Sequence, residues 1–150
     1  MEIIKATLED VPQLCQLLNS LFQQETEFLA DENAQIRGLT TILSKPEVGH
    51  IIVAKESDNI IGMVNILYTV STALGERVGI LEDMVIYQDC RNQGIGSRLI
   101  RYAIEFAKKN NCQRLTLLTD EDNSIAHKFY IKEGFSRSTM VPFRITLNDD

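Results

Sequence analysis

The sequence predicts an α+β fold: a mixed, mostly antiparallel sheet with helices on both faces. Three observations predict it. Strand-like runs at His50–Lys55 and Ile60–Val70 are joined by a short turn, and a third run, Val78–Ile86, follows one loop later. Amphipathic helical patterns precede these runs and resume after Gly94. No internal repeat, low-complexity tract or linker interrupts the 150 residues, so a single domain is expected.

Each element follows from local pattern. Ile3–Ala6 is a short apolar strand. Thr7-Leu8-Glu9-Asp10 has the form of a capping box, and Pro12 is tolerated in the first turn of the helix it opens. That helix carries Val11, Leu14, Leu17, Leu18, Leu21 and Phe22 as a one-sided apolar stripe. After the polar stretch Gln23–Thr26, a second helix is expected from Asp31 to Leu43, with Ile36, Leu39, Ile42 and Leu43 inward and Pro46 ending it. Glu56-Ser57-Asp58-Asn59 reads as the hairpin turn, and Thr72–Arg77 as a loop back to the central strand. A helix from Gly94 to Asn110, a β-rich run at Arg114–Thr119 and a helix over Asn123–Glu133 come next. Gly134-Phe135 is the helix exit, and Phe135–Thr139 with Phe143–Leu147 reads as a closing strand pair.

Bulk properties narrow the function. A chain of 150 residues buries roughly 70% of its unfolded surface. No apolar run approaches a membrane span and no charged-then-apolar leader opens the chain, which makes a cytoplasmic protein the expectation. Cys15, Cys90 and Cys112 are odd in number and lack Cys-x-x-Cys spacing, against a disulfide framework or zinc site; no metal is expected. Cys90 reads as an incidental loop thiol rather than a nucleophile, since neither histidine sits in a recognisable motif. The net charge of −6 argues against nucleic acid as the main partner and is compatible with a cationic substrate such as an amine.

The informative stretch is VGILEDMVIYQDCRNQGIGSRL, from Val78 to Leu99. A strand is followed by seven residues, Tyr87–Gln93, and then by Gly94-Ile95-Gly96 at a helix start. A first helical turn has unpaired N–H groups and the positive end of the dipole, and two glycines let a bulky anion approach. Arg91 adds a charge-assisted contact from the rim. A P-loop is excluded because Ser97-Arg98 stands where Lys-Ser/Thr is needed. A Rossmann fingerprint fails for want of a third small residue at Leu99. Glycines kept only for helix packing are the plain alternative, weakened by Arg91 and the strand ahead.

Arg91-Asn92-Gln93-Gly94-Ile95-Gly96 resembles Arg/Gln-x-x-Gly-x-Gly/Ala, the coenzyme A loop of the GNAT N-acetyltransferase superfamily. LEDMVIYQDCRNQGIGSRLI looks like that family's fourth strand, loop and third helix, and DNSIAHKFYIKEGF like its asparagine-bearing helix and closing signature. The resemblance implies the GNAT acyl-CoA N-acyltransferase fold, acetyl-CoA as cosubstrate, and a small-molecule primary amine as acceptor. It also allows a protein N-terminus or lysine as acceptor, a catalytically silent acyl-CoA sensor, and a homodimer through the sheet edge or C-terminal strands.

Residue by residue, the resemblance implies that Arg91, Asn92, Gln93, Gly94, Ile95, Gly96 and Ser97 hold the pyrophosphate. The main chain of Met84, Val85 and Ile86 would face the pantetheine arm and thioester, where the family's fourth strand is bulged and splays from the fifth. Asn123 would contact the same arm and is also an obvious N-cap; Ala126 and Phe129 would flank it. Tyr130 would protonate the departing thiolate, the alternative being a core tyrosine. Glu82 is the candidate general base, acting through an ordered water, with partial burial raising its pKa. Strand alternation separates Glu82 from Asp83, so at most one faces the acceptor, and pairing of either with Arg77 or Arg114 is the structural alternative. Phe22, Glu25, Glu27, Phe28 and Asp83 are candidate acceptor contacts, with a solvated acidic loop equally open for Glu25 and Glu27.

Overall fold

The computed structural model describes residues 1–22, without the side chain of Phe22, and residues 31–148. These fall into two compact units, Met1–Leu118 and Thr119–Asp150.

The first unit holds the sheet. Its elements are β1 (Glu2–Lys5), α1 (Val11–Phe22), α2 (Glu32–Ser44), β2 (Gly49–Glu56), β3 (Asn59–Ser71), β4 (Glu76–Ile86), α3 (Ile95–Lys109) and β5 (Leu115–Leu117). Spatial order follows sequence order, β1-β2-β3-β4-β5; β4 and β5 are parallel and the other pairs antiparallel. Short turns account for the antiparallel pairs, whereas a parallel pair needs a crossover, and α3 supplies it.

Caps form where the sequence places them. Asp10 Oδ2 accepts from Thr7 N at 2.9 Å, and the same carboxylate pairs with Lys55 at 3.2 Å, tying the start of α1 to the end of β2. Asp31 is the N-cap of α2, accepting from Ala34 N at 3.1 Å. Leu14, Leu17 and Leu18 of α1 and Leu39 of α2 pack on Ile51, Val53 and Met63. Ala54, next along β2, packs instead with Ile95 of α3. Adjacent strand residues point to opposite faces, so the two helical layers cover both sides of the sheet.

One inward position differs from expectation. Ile36 is exposed, whereas Gln35 is buried. The Gln35 Nε2 donates to Asn19 Oδ1 at 3.0 Å, a contact between α1 and α2 that an apolar pattern cannot reveal. The other expected residues, Leu39, Ile42 and Leu43, do face the core.

The second unit contains α4 (Ser124–Lys132), which ends ahead of Gly134 at φ +104. The closing strand pair expected at 135–139 and 143–147 does not form. Met140, Phe143, Ile145 and Leu147 are exposed. An alternating apolar pattern becomes a strand only with a hydrogen-bonded neighbour and a surface to cover, and among the described residues this segment has no ladder partner.

Candidate active site

The site begins where β4 stops being regular. Asn65 of β3 stands opposite Glu82, and Met63 stands opposite Val85, so Asp83 and Met84 together face the single residue Val64. This is a β-bulge, with Asp83 at φ +55. Asp is among the few residues besides glycine that enter this left-handed region at modest cost. Asn65 Nδ2 donates to Asp83 Oδ2 at 2.7 Å and holds the side chain there.

The bulge changes the two acids. Strand alternation would send Glu82 and Asp83 to opposite faces. Instead both lie beside Asn65, one as its cross-strand partner and the other through its hydrogen bond. The expected partial burial of Glu82 is also absent, for its position on β4 is exposed. Arg77, one of the two alternative ion-pair partners beside Arg114, is engaged elsewhere: its guanidinium lies 4.3 Å from the Tyr68 ring centroid and donates to Asn110 O at 3.4 Å.

The opposite edge of β4 opens at the same place. Pairing with β5 covers Gly79, Ile80 and Leu81 and stops there, although β4 continues to Ile86. Among the described residues, Met84, Val85 and Ile86 therefore have no strand partner on that edge. The bulge that the resemblance implies is present in this first unit, and pairing with β5 ends where β5 ends, at Leu117.

Beyond Ile86 the chain makes a 3-10 turn, Gln88–Cys90, and enters α3 through Gly94. Arg91 Nε donates to Ile86 O at 3.1 Å, folding the arginine back onto the end of β4. Asn92 at φ +64 and Gly94 at φ +78 turn the chain so that the N-terminus of α3 follows directly. Gly94 supplies no capping side chain, and a Cβ there would meet nothing within 4 Å. The first turn of α3 thus opens at Ile95 and Gly96 without a side-chain cap, the kind of helix start that can receive an anion. Ile95, buried against Ala54 and Ile61, anchors the turn. Gln93 and Asn92 are exposed on the loop.

In the second unit, Asn123 caps α4, accepting from Ala126 N at 3.1 Å. Tyr130 is packed edge-on against Phe129, at 5.1 Å between centroids, and Phe135, at 5.7 Å. Burial pushes its phenol up to about 12. It holds its proton firmly, and as a weaker acid than a free phenol it must be drawn to give it up by an adjacent anion. Glu25, Glu27, Phe28 and the side chain of Phe22 lie outside the described residues. Asn65 is the residue that motif reading passed over. Its signal is a lone asparagine inside the apolar run Ile60–Leu67.

A model of the acetyltransferase (GNAT) family matches residues 11–135. The aminoalkylphosphonate N-acetyltransferase of Salmonella typhimurium (strain LT2) is 27% identical over 137 residues, covering 91% of this chain and 86% of that protein. An uncharacterized N-acetyltransferase of Bacillus subtilis (strain 168) is 30% identical over 122 residues, covering 79% of this chain and 81% of that protein. The crystal structure of a probable acetyltransferase superposes with a TM-score of 0.84 at 25% identity, with both chains covered in full, 100% each.

Proposed function

The chain belongs to the acetyltransferase (GNAT) family and is an N-acetyltransferase, and from that premise we propose that it moves the acetyl group of acetyl-CoA directly to the primary amine of a small molecule. The observation that carries this reading is the continuous path from the open, bulged end of β4 into the uncapped start of α3. Acetyl-CoA supplies an activated thioester, and the residues present fit it. The N–H groups of Ile95 and Gly96 at the start of α3, with Ser97 beside them and the Arg91 guanidinium at the rim, suit a pyrophosphate. The edge of β4 at Met84–Ile86, where Arg91 already takes the Ile86 carbonyl, suits a pantetheine arm and the carbonyl it carries.

Glu82 takes a proton from the incoming ammonium through an ordered water, a role its exposed position on β4 permits. Tyr130 gives a proton to the departing thiolate, and Asn123, Ala126 and Phe129 lie along the pantetheine arm. Asp83 contributes negative charge near the acceptor. The family match, residues 11–135, includes residues of both units. Three unpaired cysteines suit a reducing, cytoplasmic compartment. Among the described residues, no helix is long and apolar enough to cross a membrane.

The test is calorimetric titration with acetyl-CoA followed by a free-thiol assay across amines. An aminoalkylphosphonate comes first, because the Salmonella relative is named for that substrate; spermidine and a lysine-bearing peptide follow. Thiol release on a small amine supports the proposal. Release on the peptide alone moves the acceptor to proteins. Binding without release on any amine leaves a silent acyl-CoA sensor, and no binding removes the role assigned to Arg91–Ser97.

A further inference from the structure

Asn65 is only 3% exposed in β3, and its amide is half used. Nδ2 donates to Asp83 Oδ2 at 2.7 Å. An ionised carboxylate only accepts, so the orientation of the amide is fixed by chemistry: nitrogen toward Asp83, oxygen away. That oxygen, Oδ1, is buried and has no hydrogen-bond partner among the described residues. An acceptor stripped of water and given no donor is disfavoured, and such groups are rare in folded chains.

Its neighbourhood indicates which donor is missing. Asn65 stands directly opposite Glu82 in the β3–β4 register, so the two side chains rise about 5 Å apart on the same face. Asp83 is bonded to the same amide. The register thus sets the exposed Glu82 carboxylate beside the unsatisfied Asn65 oxygen, and both are acceptors. The complementary ligand carries positive charge and several N–H donors, which describes a primary ammonium.

We propose that Asn65 orients the acceptor amine: Oδ1 accepts one N–H of the incoming amine beside Glu82, while Nδ2 keeps the Asp83 carboxylate at the bulge. The inference rests on the acetyl-transfer reading above and assigns that reading a residue on β3. When Glu82 removes one proton from the ammonium, an N–H bond breaks and the proton passes by way of the water to the carboxylate. A second N–H stays on Oδ1, which directs the freed lone pair.

The experiment uses Asn65→Leu, of similar volume with neither polar group, and Asn65→Thr, whose hydroxyl can still donate to Asp83 while its methyl replaces the acceptor. Each is assayed with whichever of the three amines above gives the fastest thiol release from the unsubstituted protein. Titration with acetyl-CoA and thermal melting accompany the assay. The expected result for both variants is a rise of about tenfold or more in amine KM, with acetyl-CoA affinity within about twofold of the unsubstituted protein. Should Asn65→Leu fail to fold, Asn65→Thr alone decides. An unchanged amine KM overturns the inference, as does an equal loss of acetyl-CoA affinity, which would make Asn65 a clamp of the bulge only. If the unsubstituted protein releases thiol with none of the amines, the acetyl-transfer reading itself falls, and this inference with it.

Discussion

The two halves of β4 are made of similar residues and do different work. From Glu76 to Leu81 the strand is paired residue for residue with β3, and from Gly79 to Leu81 also with β5. Val78 and Leu81 are buried in this half. From Glu82 to Ile86 the register slips on one side, no strand among the described residues pairs on the other, and Asp83 turns left-handed. From Gly79 to Leu81 the main chain is paired on both edges; in the second half the described ladders reach it from β3 alone. A regular ladder is stable because it satisfies itself; a site needs backbone that the fold has not satisfied.

The comparison breaks most visibly in the second half. Glu82→Gln should lower amine-dependent turnover by roughly 10²–10⁴-fold, the usual worth of a positioned acid or base, while calorimetry shows acetyl-CoA binding intact. Unchanged turnover would remove Glu82 as the base. Tyr130→Phe should lower turnover by about 100-fold with little change in acetyl-CoA affinity; equal losses in both would make Tyr130 a packing residue. Because burial pushes this phenol up to about 12, it keeps its proton through ordinary assay conditions, and the alkaline side of the rate profile below about pH 10 should owe nothing to it. The sign for stability follows. The folded form binds the proton more tightly, so its contribution is intact below the ordinary tyrosine value and is lost as pH rises toward about 12.

The first half of β4 answers to stability instead. Leu81→Ala removes a side chain buried to 4% exposure and should cost about 3 kcal/mol. For a chain of this size that is roughly 6–12 °C in a thermal melt, without a comparable rise in either KM. Gly94→Ala tests the turn between strand and helix. The added Cβ meets open space, so its cost comes from φ +78 alone, about 1–2 kcal/mol. Weaker acetyl-CoA binding should accompany it.

The smallest effect lies at the far end of the sheet, where His50 Nδ1 meets Tyr68 Oη at 2.7 Å. Burial lowers the His50 pKa, helped by the charges of Lys5 and Arg77. The unfolded chain then takes up the proton more readily, so stability is held above about pH 6.5 and declines as pH falls below it. Melting curves of the protein and of His50→Gln across that range should converge at the acidic end. Parallel curves would show that another group governs the decline.

Much of this was legible in residue order. The stripe Leu14, Leu17, Leu18 specified a helix because burial repeats at the helical period. The Gly94-Ile95-Gly96 start was readable because left-handed backbone and an open helix end both favour glycine. Acid neighbours were legible as chemistry but not as geometry: alternation is a rule for regular strands, and the slip between Met63 and Asn65 suspends it. Asn65 was visible as a polar interruption, yet its half-used amide depends on a partner 18 positions away. The strand pattern of Phe143, Ile145 and Leu147 was present without a strand.

By itself the sequence determined most element types, the helix starts at Asp31 and Asn123, the glycine turn into α3 and the family. These rest on interactions within a few residues or on side-chain periodicity, which order along the chain encodes directly. Only the tertiary structure decided where β4 bulges, which of its edges stays open, how exposed Glu82 is, and which atom of Asn65 is left unpaired. Each of those depends on register between strands distant in sequence, where moving a single hydrogen-bonded pair changes which groups the sheet uses and which it leaves for chemistry.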